Sequence, residues 1–414
     1  MTVTAAPARP RVFAGWIVVA AAFVVLMTNS GLAFYGLAVY LEALTSEQGF
    51  DTGSVSAATS VFFVVAGFAG RSVGRFIERH DPRWPIGAGT ALCAVSLLLL
   101  GRVTEVWQTF AVYVLFGAGF AAAGIVPATT VVTRWFHRRR SVALSIASTG
   151  LSLGGLTLTV LASALIDDRG LRDATPLLAL VYVVLVAIAL PFVWPDPASR
   201  GLQPDGDVDP ARTSAAAISG VAYATAVRSR FFVLFSVAYV CFMGAQVGAI
   251  AQLAKLGTER VDRGTGAMAV SVLALTSVVA RLAGGVVAAR APLVRMTAAI
   301  GGAQALGLAL LAFAASRSAL LAATVLFGAT IGNLLMLQPL VVAEAFGVRD
   351  YPRIFSLASL IMTMGIAGGP FLLGALHDAW SYRVSYLVAA GVSVTGAAIL
   401  SAAGSVQKVK EELW

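Results

Sequence analysis

Two arginines lie inside long apolar runs, away from the ends where charges normally cluster. Arg281 stands in SVLALTSVVARLAGGVVAAR, nine residues before Arg290, and Arg71 stands in VVAGFAGRSVGRFIER, eight residues before Arg79. At the helical rise per residue, each side chain begins about 12–13 Å inside the end of its apolar segment. A guanidinium binds a carboxylate through two parallel hydrogen bonds, whereas an ammonium acts as a point charge. The pair therefore predicts a cationic site for a small organic anion.

Arg281 and Arg71 each allow a structural interpretation as well. A charge at mid-membrane depth costs at least ~2.5–3.5 kcal/mol on insertion scales, so each side chain needs a partner or a wet cavity. Arg281 would be satisfied by an acid on a neighbouring helix. Arg71 lies closer to Arg75 and would be satisfied by reaching the headgroup region. The sequence leaves both interpretations open.

Uncharged candidates for the same pocket occur in two further apolar runs. Asn333 and Gln338, in ATIGNLLMLQPLVVAEAF, would orient a ligand or hydrogen-bond between helices. Tyr35, which follows Phe34 in GLAFYGLAVY, would line the apolar side of a pocket or serve packing alone. The predicted substrate-binding residues are therefore Arg281, Arg71, Asn333, Gln338 and Tyr35.

No catalytic or metal-binding pattern accompanies these residues. The two cysteines, Cys93 and Cys241, lie in separate apolar runs without C-x-x-C spacing, and the three histidines are isolated: His80, His137 and His377. No nucleophile/base pair or phosphate-binding loop is recognisable. The sequence therefore predicts no catalytic residue, no metal, no cofactor and no enzymatic activity.

The composition assigns the chain to the membrane. Of its 414 residues, 58% are hydrophobic and 12% charged, whereas globular domains average about 25% charged. A bilayer core of ~30 Å needs about 20 apolar residues per helix. The first apolar run is too long for a signal peptide and is expected to remain as a span. The predicted fold is an all-α polytopic membrane protein with twelve transmembrane helices, at residues 14–42, 53–77, 84–102, 107–133, 141–166, 175–194, 230–256, 267–289, 293–314, 318–344, 353–377 and 381–404.

Charge asymmetry between the loops sets the expected orientation. With the N-terminus inside, one face carries 19 of the 29 Lys and Arg residues and the other carries eight. Both termini and the linker 195–229 are therefore predicted to be cytoplasmic, in a plasma-membrane protein. The linker separates an N-terminal six-helix bundle, 1–194, from a C-terminal one, 230–414. The net charge of +9 follows from this topology and indicates no nucleic-acid partner.

The two halves of the chain repeat each other. The pentapeptide VLFGA occurs at 114–118 and again 211 residues later, and the same shift pairs Gly74 with Gly285. In the next matching helix the shift is expected to drift to 214, which pairs Arg139 with Arg353 and 154–155 with 368–369. Two six-helix repeats that start from the same side are related by an axis along the membrane normal.

Two loop motifs resemble those of a known family. The residues Gly74, Glu78-Arg79 and Arg83 resemble the motif after the second helix of major facilitator superfamily transporters. WFHRRRSVA, residues 135–143, is similar to the start of the fifth helix in the monocarboxylate porter and oxalate/formate antiporter branch. The loop-motif and gating residues that this resemblance implies are Gly74, Glu78, Arg79, Arg83, Arg139 and Arg140.

The resemblance also implies a fold and a function. The fold is two six-helix repeats around a central site, and the function is secondary transport of a small organic anion by alternating access. Arg281 matches the arginine with which the branch holds a substrate carboxylate, and Gly285 follows it as in the family pattern. Ser277 stands where proton-coupled members have an acid, which argues against proton symport by that mechanism and leaves exchange, uniport or a different proton carrier open. The implied partners are a small carboxylate, protons and the lipid bilayer, and the implied functional unit is a monomer.

Two further functions stay open at this stage. The chain would also suit efflux of a drug or amphipathic metabolite, with the arginines serving structure or gating. A transporter-like sensor would bind its ligand without moving it, although the linker and tails offer no recognisable signalling module.

Overall fold

Long apolar helices account for most of the part of the chain that the structure describes. The computed structural model describes residues 13–206 and 220–413, so Arg9, Arg11 and the linker positions 207–219 lie outside the described residues. Eleven helical stretches of this part are long and apolar enough to cross a membrane. The longest, Arg140–Phe192, contains two spans because Gly170, with φ 75°, breaks its helix. The prediction of twelve transmembrane helices is confirmed.

The spans are named TM1 to TM12 in chain order. Their bounds are Gly15–Ser46 (TM1), Thr52–Ile77 (TM2), Arg83–Leu100 (TM3), Val106–Trp135 (TM4), 140–169 and 171–189 of the helix Arg140–Ala189 (TM5 and TM6), Arg230–Arg260 (TM7), Arg263–Ala288 (TM8), Leu293–Phe313 (TM9), Arg317–Phe346 (TM10), Tyr351–Ala379 (TM11) and Tyr382–Ala402 (TM12). Two short helices, Tyr223–Arg228 and Val406–Leu413, precede TM7 and follow TM12. We call the membrane side that carries the linker and the C-terminal helix Val406–Leu413 the linker face, and the other the far face.

The predicted span limits are wrong mainly at the far face. TM1 continues to Ser46 rather than 42, TM7 continues to Arg260, and residues 167–174 are helical apart from Gly170. Hydropathy marks only the part of a helix inside the hydrocarbon, whereas backbone hydrogen bonding continues into the polar region.

Short polar side chains fix where several spans begin. Asp51 accepts a hydrogen bond from the Ser54 amide at 2.9 Å at the start of TM2, and Asp262 accepts one from the Thr265 amide at 2.7 Å at the start of TM8. Such caps satisfy backbone donors that the helix itself leaves unpaired. These hydrogen bonds lower the pKa of the exposed Asp262 carboxyl.

The internal repeat is visible in equivalent helix contacts. Gly74 of TM2 lies against Ser356 of TM11, and Gly285 of TM8 lies against Ser145 of TM5. Gly285 lies 211 positions after Gly74, and Ser356 lies 211 positions after Ser145. The repeat shift between TM5 and TM11 is therefore 211 rather than 214 residues. The predicted pairing of Arg139 with Arg353 is wrong. Backbone packing sets the register here, because only small residues allow the helices to approach this closely.

Small residues also bring TM1 against TM5 and TM7 against TM11. A Cβ added at Gly154 would meet the Met27 carbonyl and the Gly31 nitrogen, and one added at Gly365 would meet the Val240 carbonyl and the Gly244 nitrogen. Gly154 and Gly365 are again 211 residues apart. Both halves thus pack their first and fifth helices backbone to backbone.

We expect Gly154→Ala to destabilise the protein by roughly 2–3 kcal/mol, since the methyl group must push TM1 away from TM5. Thermal unfolding of the purified protein in detergent would measure this as a lower Tm. Gly302→Ala is the matched control, because no heavy atom lies within 4 Å of its added Cβ. There the change should be neutral or slightly stabilising. Equal Tm values for the two variants would contradict the close approach.

Candidate functional site

Arg281 lies where TM8 of the second half meets TM5 of the first. Its side chain is fully buried. Its Nη1 donates a hydrogen bond to the carbonyl oxygen of Ser148, and its own carbonyl accepts one from Ser145 Oγ at 2.6 Å. Gly332 of TM10 leaves room for the guanidinium, since a Cβ there would come within 3.0 Å of Arg281 Nε. The arginine therefore sits in the seam between the two halves.

The charge of Arg281 has no acidic partner among the residues that the structure describes. Its one hydrogen-bond acceptor there is a neutral backbone carbonyl, and its buried Nε has no hydrogen-bond partner among the described residues. The interpretation of Arg281 as half of a buried ion pair therefore finds no support in these residues. A buried cation without a counter-charge is costly and favours binding of an anion.

Tyr35 brings an aromatic surface close to the guanidinium. The chain of TM1 widens into a π-helical turn at Ser30–Phe34, a feature often found at functional sites. Ser30 Oγ donates to the Leu151 carbonyl of TM5 at 2.6 Å, which fixes the turn. Tyr35 follows it directly, lies within electrostatic range of Arg281, and keeps 38% of its surface exposed. Tyr35 is therefore a partly exposed aromatic side chain near the buried guanidinium.

Phe34 extends the aromatic surface that Tyr35 begins. Its ring packs edge to face on Tyr35, with centroids 4.9 Å apart, and also contacts Phe63 and Phe120. Phe34, Tyr35, Phe63 and Phe120 thus form one aromatic cluster, and whether it lines a substrate pocket stays a prediction.

Ser152 and Ser277, which the sequence analysis did not include among the substrate-binding residues, also lie in this seam. Ser152 Oγ of TM5 and Ser277 Oγ of TM8 lie 3.5 Å apart, one helical turn from Ser148 and Arg281. The signal was present, because Ser145, Ser148 and Ser152 follow helical spacing in a run of small residues. These hydroxyls are neutral and offer hydrogen bonds to an anion as well as to each other.

Asn333 lies close to Arg281, but its amide nitrogen is already hydrogen-bonded to helix carbonyls. Its Nδ2 donates to the carbonyls of Ala280 and Ala329 at 3.0 and 2.9 Å, which joins TM10 to TM8. Its buried Oδ1 has no partner among the described residues and lies against Gly284. Asn333 therefore holds the helix that carries Arg281.

Gln338 and Arg71 are not brought next to Arg281. Gln338 shares a helical stripe with Leu334 and Val341, which pack inside the second half, and neither polar atom of its amide has a described partner. Arg71 is half-buried on the stripe of TM2 whose Gly67 and Gly74 contact TM11. Arg71 thus occupies the repeat-related seam, TM2 with TM11, rather than the pocket of Arg281.

The comparisons with known proteins identify the family. The family model described as Major Facilitator Superfamily matches residues 18–318 and 256–411. The chain belongs to this superfamily. It is 28% identical over 410 residues to human monocarboxylate transporter 11, covering 93% of this chain and 82% of that protein. It is 26% identical over 182 residues to the oxalate:formate antiporter of Oxalobacter formigenes, covering 43% of each. The human organic anion transporter MFSD10 (TETRAN) has the same fold, with a TM-score of 0.73, 14% identity, and coverage of 95% of this chain and 100% of that chain.

In this Major Facilitator protein charged side chains link the two halves at the linker face. Arg140, 5% exposed at the start of TM5, donates from Nη1 to Glu344 Oε1 of TM10 at 2.9 Å and from Nε to the Phe136 carbonyl at 3.1 Å. Lys410 of the C-terminal helix lies 3.6 Å from Glu344 Oε2. Glu344 therefore joins the first half, the second half and the C-terminal helix.

A second ion pair closes the same face between TM2 and TM11. Glu78 Oε1 lies 3.4 Å from Arg353 Nε, and the Arg353 guanidinium stacks on the Tyr223 ring with 4.3 Å to its centroid. Tyr351 Oη also donates to Thr129 Oγ1 at 3.2 Å. The Arg353 ion pair places Glu78 at the boundary of the two halves.

The other loop-motif residues have more local contacts. Arg83 Nε donates to the Val193 carbonyl at 2.8 Å, which ties the TM2–TM3 loop to the end of TM6 within the first half. Arg79 is exposed. The backbone amide of Arg139 lies 3.4 Å from the Asp205 carboxylate of the linker, which also accepts from the amides of His137 and Arg138.

Burial raises the pKa of Glu78 more than the Arg353 charge lowers it. A raised pKa in the folded protein means that folding favours the protonated carboxyl. Ionised Glu78 therefore lowers the free energy of unfolding as the pH rises above the unfolded-state pKa. We therefore expect Glu78→Gln to be more stable than wild type at neutral pH, by up to ~1 kcal/mol. The difference should disappear as the pH falls below about 4, where the Glu78 carboxyl is protonated in both the folded and the unfolded protein. Thermal unfolding across this range measures it, with the exposed Glu412→Gln as control. A less stable Gln variant at neutral pH would mean that the ion pair dominates.

Proposed function

We propose that this protein is a secondary transporter that moves a small carboxylate, of the monocarboxylate or oxalate/formate type, across the plasma membrane by alternating access. The observation that carries the proposal is the fully buried Arg281, which has no acidic partner among the described residues. A substrate carboxylate supplies the missing negative charge and matches the planar guanidinium. Monocarboxylate transporter 11 and the oxalate:formate antiporter, as relatives, support the same substrate class.

In this proposal Arg281 exchanges partners during transport. Its Nη1 is held by the Ser148 carbonyl of TM5, a bond between the two halves. A carboxylate arriving beside Tyr35 competes for the same guanidinium and wins because it is charged. Loss of the bond to Ser148 then weakens the seam between TM5 and TM8. Binding is thereby coupled to separation of the halves, which alternating access requires.

The proposal assigns the linker face to the cytoplasm, because the loops on that side carry the larger share of Lys and Arg. The Arg140–Glu344 and Glu78–Arg353 pairs then make the structure an outward-facing one, closed toward the cytoplasm. The moving bodies are the N-terminal bundle, 1–194, and the C-terminal bundle, 230–414, and the functional unit is a monomer. Arg71 lies in the second seam and serves gating there.

The function is tested by counterflow in proteoliposomes. We expect labelled lactate, pyruvate, formate or oxalate to exchange against an internal pool of the same anion, and lactamide, which lacks the carboxylate, to give no exchange. Changing the external proton concentration at constant substrate distinguishes proton symport from anion exchange. If none of the carboxylates exchanges while an amphipathic dye is expelled, the protein is an efflux pump. Saturable binding without flux would indicate a sensor.

A further inference from the structure

A cavity of about 1060 Å³ opens on the linker face between the two halves. Its walls come from the start of TM5, the turn between TM8 and TM9, the end of TM10 and the C-terminal helix. Its lining begins at the Arg140–Glu344 pair, so it lies on the cytoplasmic side of the closed gate in the proposed orientation. Arg281 and Tyr35 are not among its lining residues. The cavity is therefore separate from the proposed transport site.

The lining of this cavity is strongly positive. Four cationic side chains line it against one carboxylate, which gives a formal charge of +3 with His137 neutral: Arg138, Arg140, Arg295 and Lys410 against Glu344. Arg140 and Lys410 share Glu344. Arg295 is exposed and forms no ion pair with a described residue. A concave surface with this excess of charge attracts multivalent anions.

Two uncharged features belong to the wall of the same cavity. Ser141 is 4% exposed and lines the cavity, and its Oγ has no hydrogen-bond partner among the described residues. TM9 begins at the cavity wall with Pro292 as its N-cap, which provides no side-chain acceptor for the helix. The first amides of TM9, from Leu293 to Arg295, therefore present donors and the positive end of the helix dipole.

We propose that this cavity binds an oxyanion of the phosphate class. Arg295 and the TM9 amides hold its charge from the second half, and the Ser141 hydroxyl donates to it from the first. Free phosphate and the phosphate of a lipid headgroup share this chemistry. Because the donors come from both halves, the bound anion adds a bridge that favours the state in which the linker face is closed.

The test uses the purified full-length protein in nanodiscs and needs no transport. In the first arm, inorganic phosphate is titrated at constant ionic strength into discs of phosphatidylcholine, and tryptophan fluorescence follows thermal unfolding. In the second arm, discs containing phosphatidic acid are analysed by native mass spectrometry for retained lipid. The variants are Arg295→Ala and Ser141→Ala. Arg228→Ala is the control, since it removes an exposed linker-face cation outside the cavity.

We expect saturable stabilisation of wild type, with phosphate affinity weakened about ten-fold or more by Arg295→Ala and about three-fold by Ser141→Ala. Arg228→Ala should keep wild-type affinity. An effect confined to the second arm assigns the site to a lipid headgroup, and an effect in the first assigns it to soluble phosphate. No ligand in either arm, or equal weakening by Arg295→Ala and Arg228→Ala, overturns the proposal. Because binding is the readout, this result is independent of whether carboxylates are transported.

Discussion

Arg281→Ala is expected to reduce carboxylate counterflow by about 100-fold or more. Two charge-assisted hydrogen bonds to a desolvated carboxylate are worth at least ~3 kcal/mol, and each 1.4 kcal/mol is a factor of ten. Arg281→Lys keeps the charge but loses the planar geometry, so we expect an intermediate loss of about ten-fold. Counterflow in proteoliposomes at equal protein density measures both variants.

Stability separates a binding role of Arg281 from a structural one. The side chain is a buried charge held by a single neutral carbonyl among the described residues, so Arg281→Ala should leave the Tm unchanged or raise it. A folding role predicts a lower Tm instead. Arg102→Ala, which removes an exposed arginine in the loop between TM3 and TM4, is the matched control and should change neither quantity. Wild-type counterflow in Arg281→Ala would refute the proposed role.

Glu344→Gln is expected to open the linker face. The change removes the partner of Arg140, which is nearly buried and keeps only backbone acceptors, at 3.1 Å from Phe136 and 3.4 Å from Thr133. Since Glu344 is 27% exposed, water replaces part of the lost interaction, and we expect a cost of ~1–3 kcal/mol to the closed state. The ratio of open to closed protein should therefore rise by about 5- to 150-fold.

The reporter for this change is Leu337→Cys in a chain whose Cys93 and Cys241 are replaced by Ala. Leu337 of TM10 is fully buried in the cluster formed mainly by the first half, so a maleimide reaches it only when the halves separate. Glu344→Gln should raise the labelling rate, and Arg140→Gln should do so to the same extent. The double variant should add little, because both single changes remove one interaction. Glu412→Gln, on the exposed side of the C-terminal helix, is the control. An unchanged labelling rate in Glu344→Gln would show that other contacts hold the face closed.

The sequence indicated how deep a polar side chain lies in its span, but not which residues of other helices it contacts. Arg281 and Asn333 could be placed inside spans because depth depends on counting apolar residues at a fixed helical rise. Whether Arg281 met an acid depended on which helix faces TM8 and at what height, and that information is not local. Gln338 has the same depth signal as Asn333, yet its stripe faces the interior of the second half.

The gate shows the same division. The basic motif at 138–140 was identifiable from its resemblance to the family, but no sequence pattern marks Glu344, at the end of TM10, as its partner. Its position between Arg140 and Lys410 arises from three segments more than 60 residues apart in sequence, brought together by the closed conformation. Likewise the repeat shift of 211 was clear in TM2 and TM8, whereas its continuation into TM11 became clear only from the contacts of Gly285 with Ser145 and Gly74 with Ser356.

The sequence by itself determined that this chain crosses the membrane twelve times in two related halves and carries arginines where the bilayer penalises charge. Hydrophobicity, helical rise and loop charge are properties of short segments, so the sequence gives them without knowledge of the tertiary structure. Only the tertiary structure decided that Arg281 faces a carbonyl of the opposite half, that Arg71 lies in the other seam, and that four basic side chains surround a cavity on the linker face. These are relations between helices distant in sequence, and packing of backbone against backbone at small residues sets them.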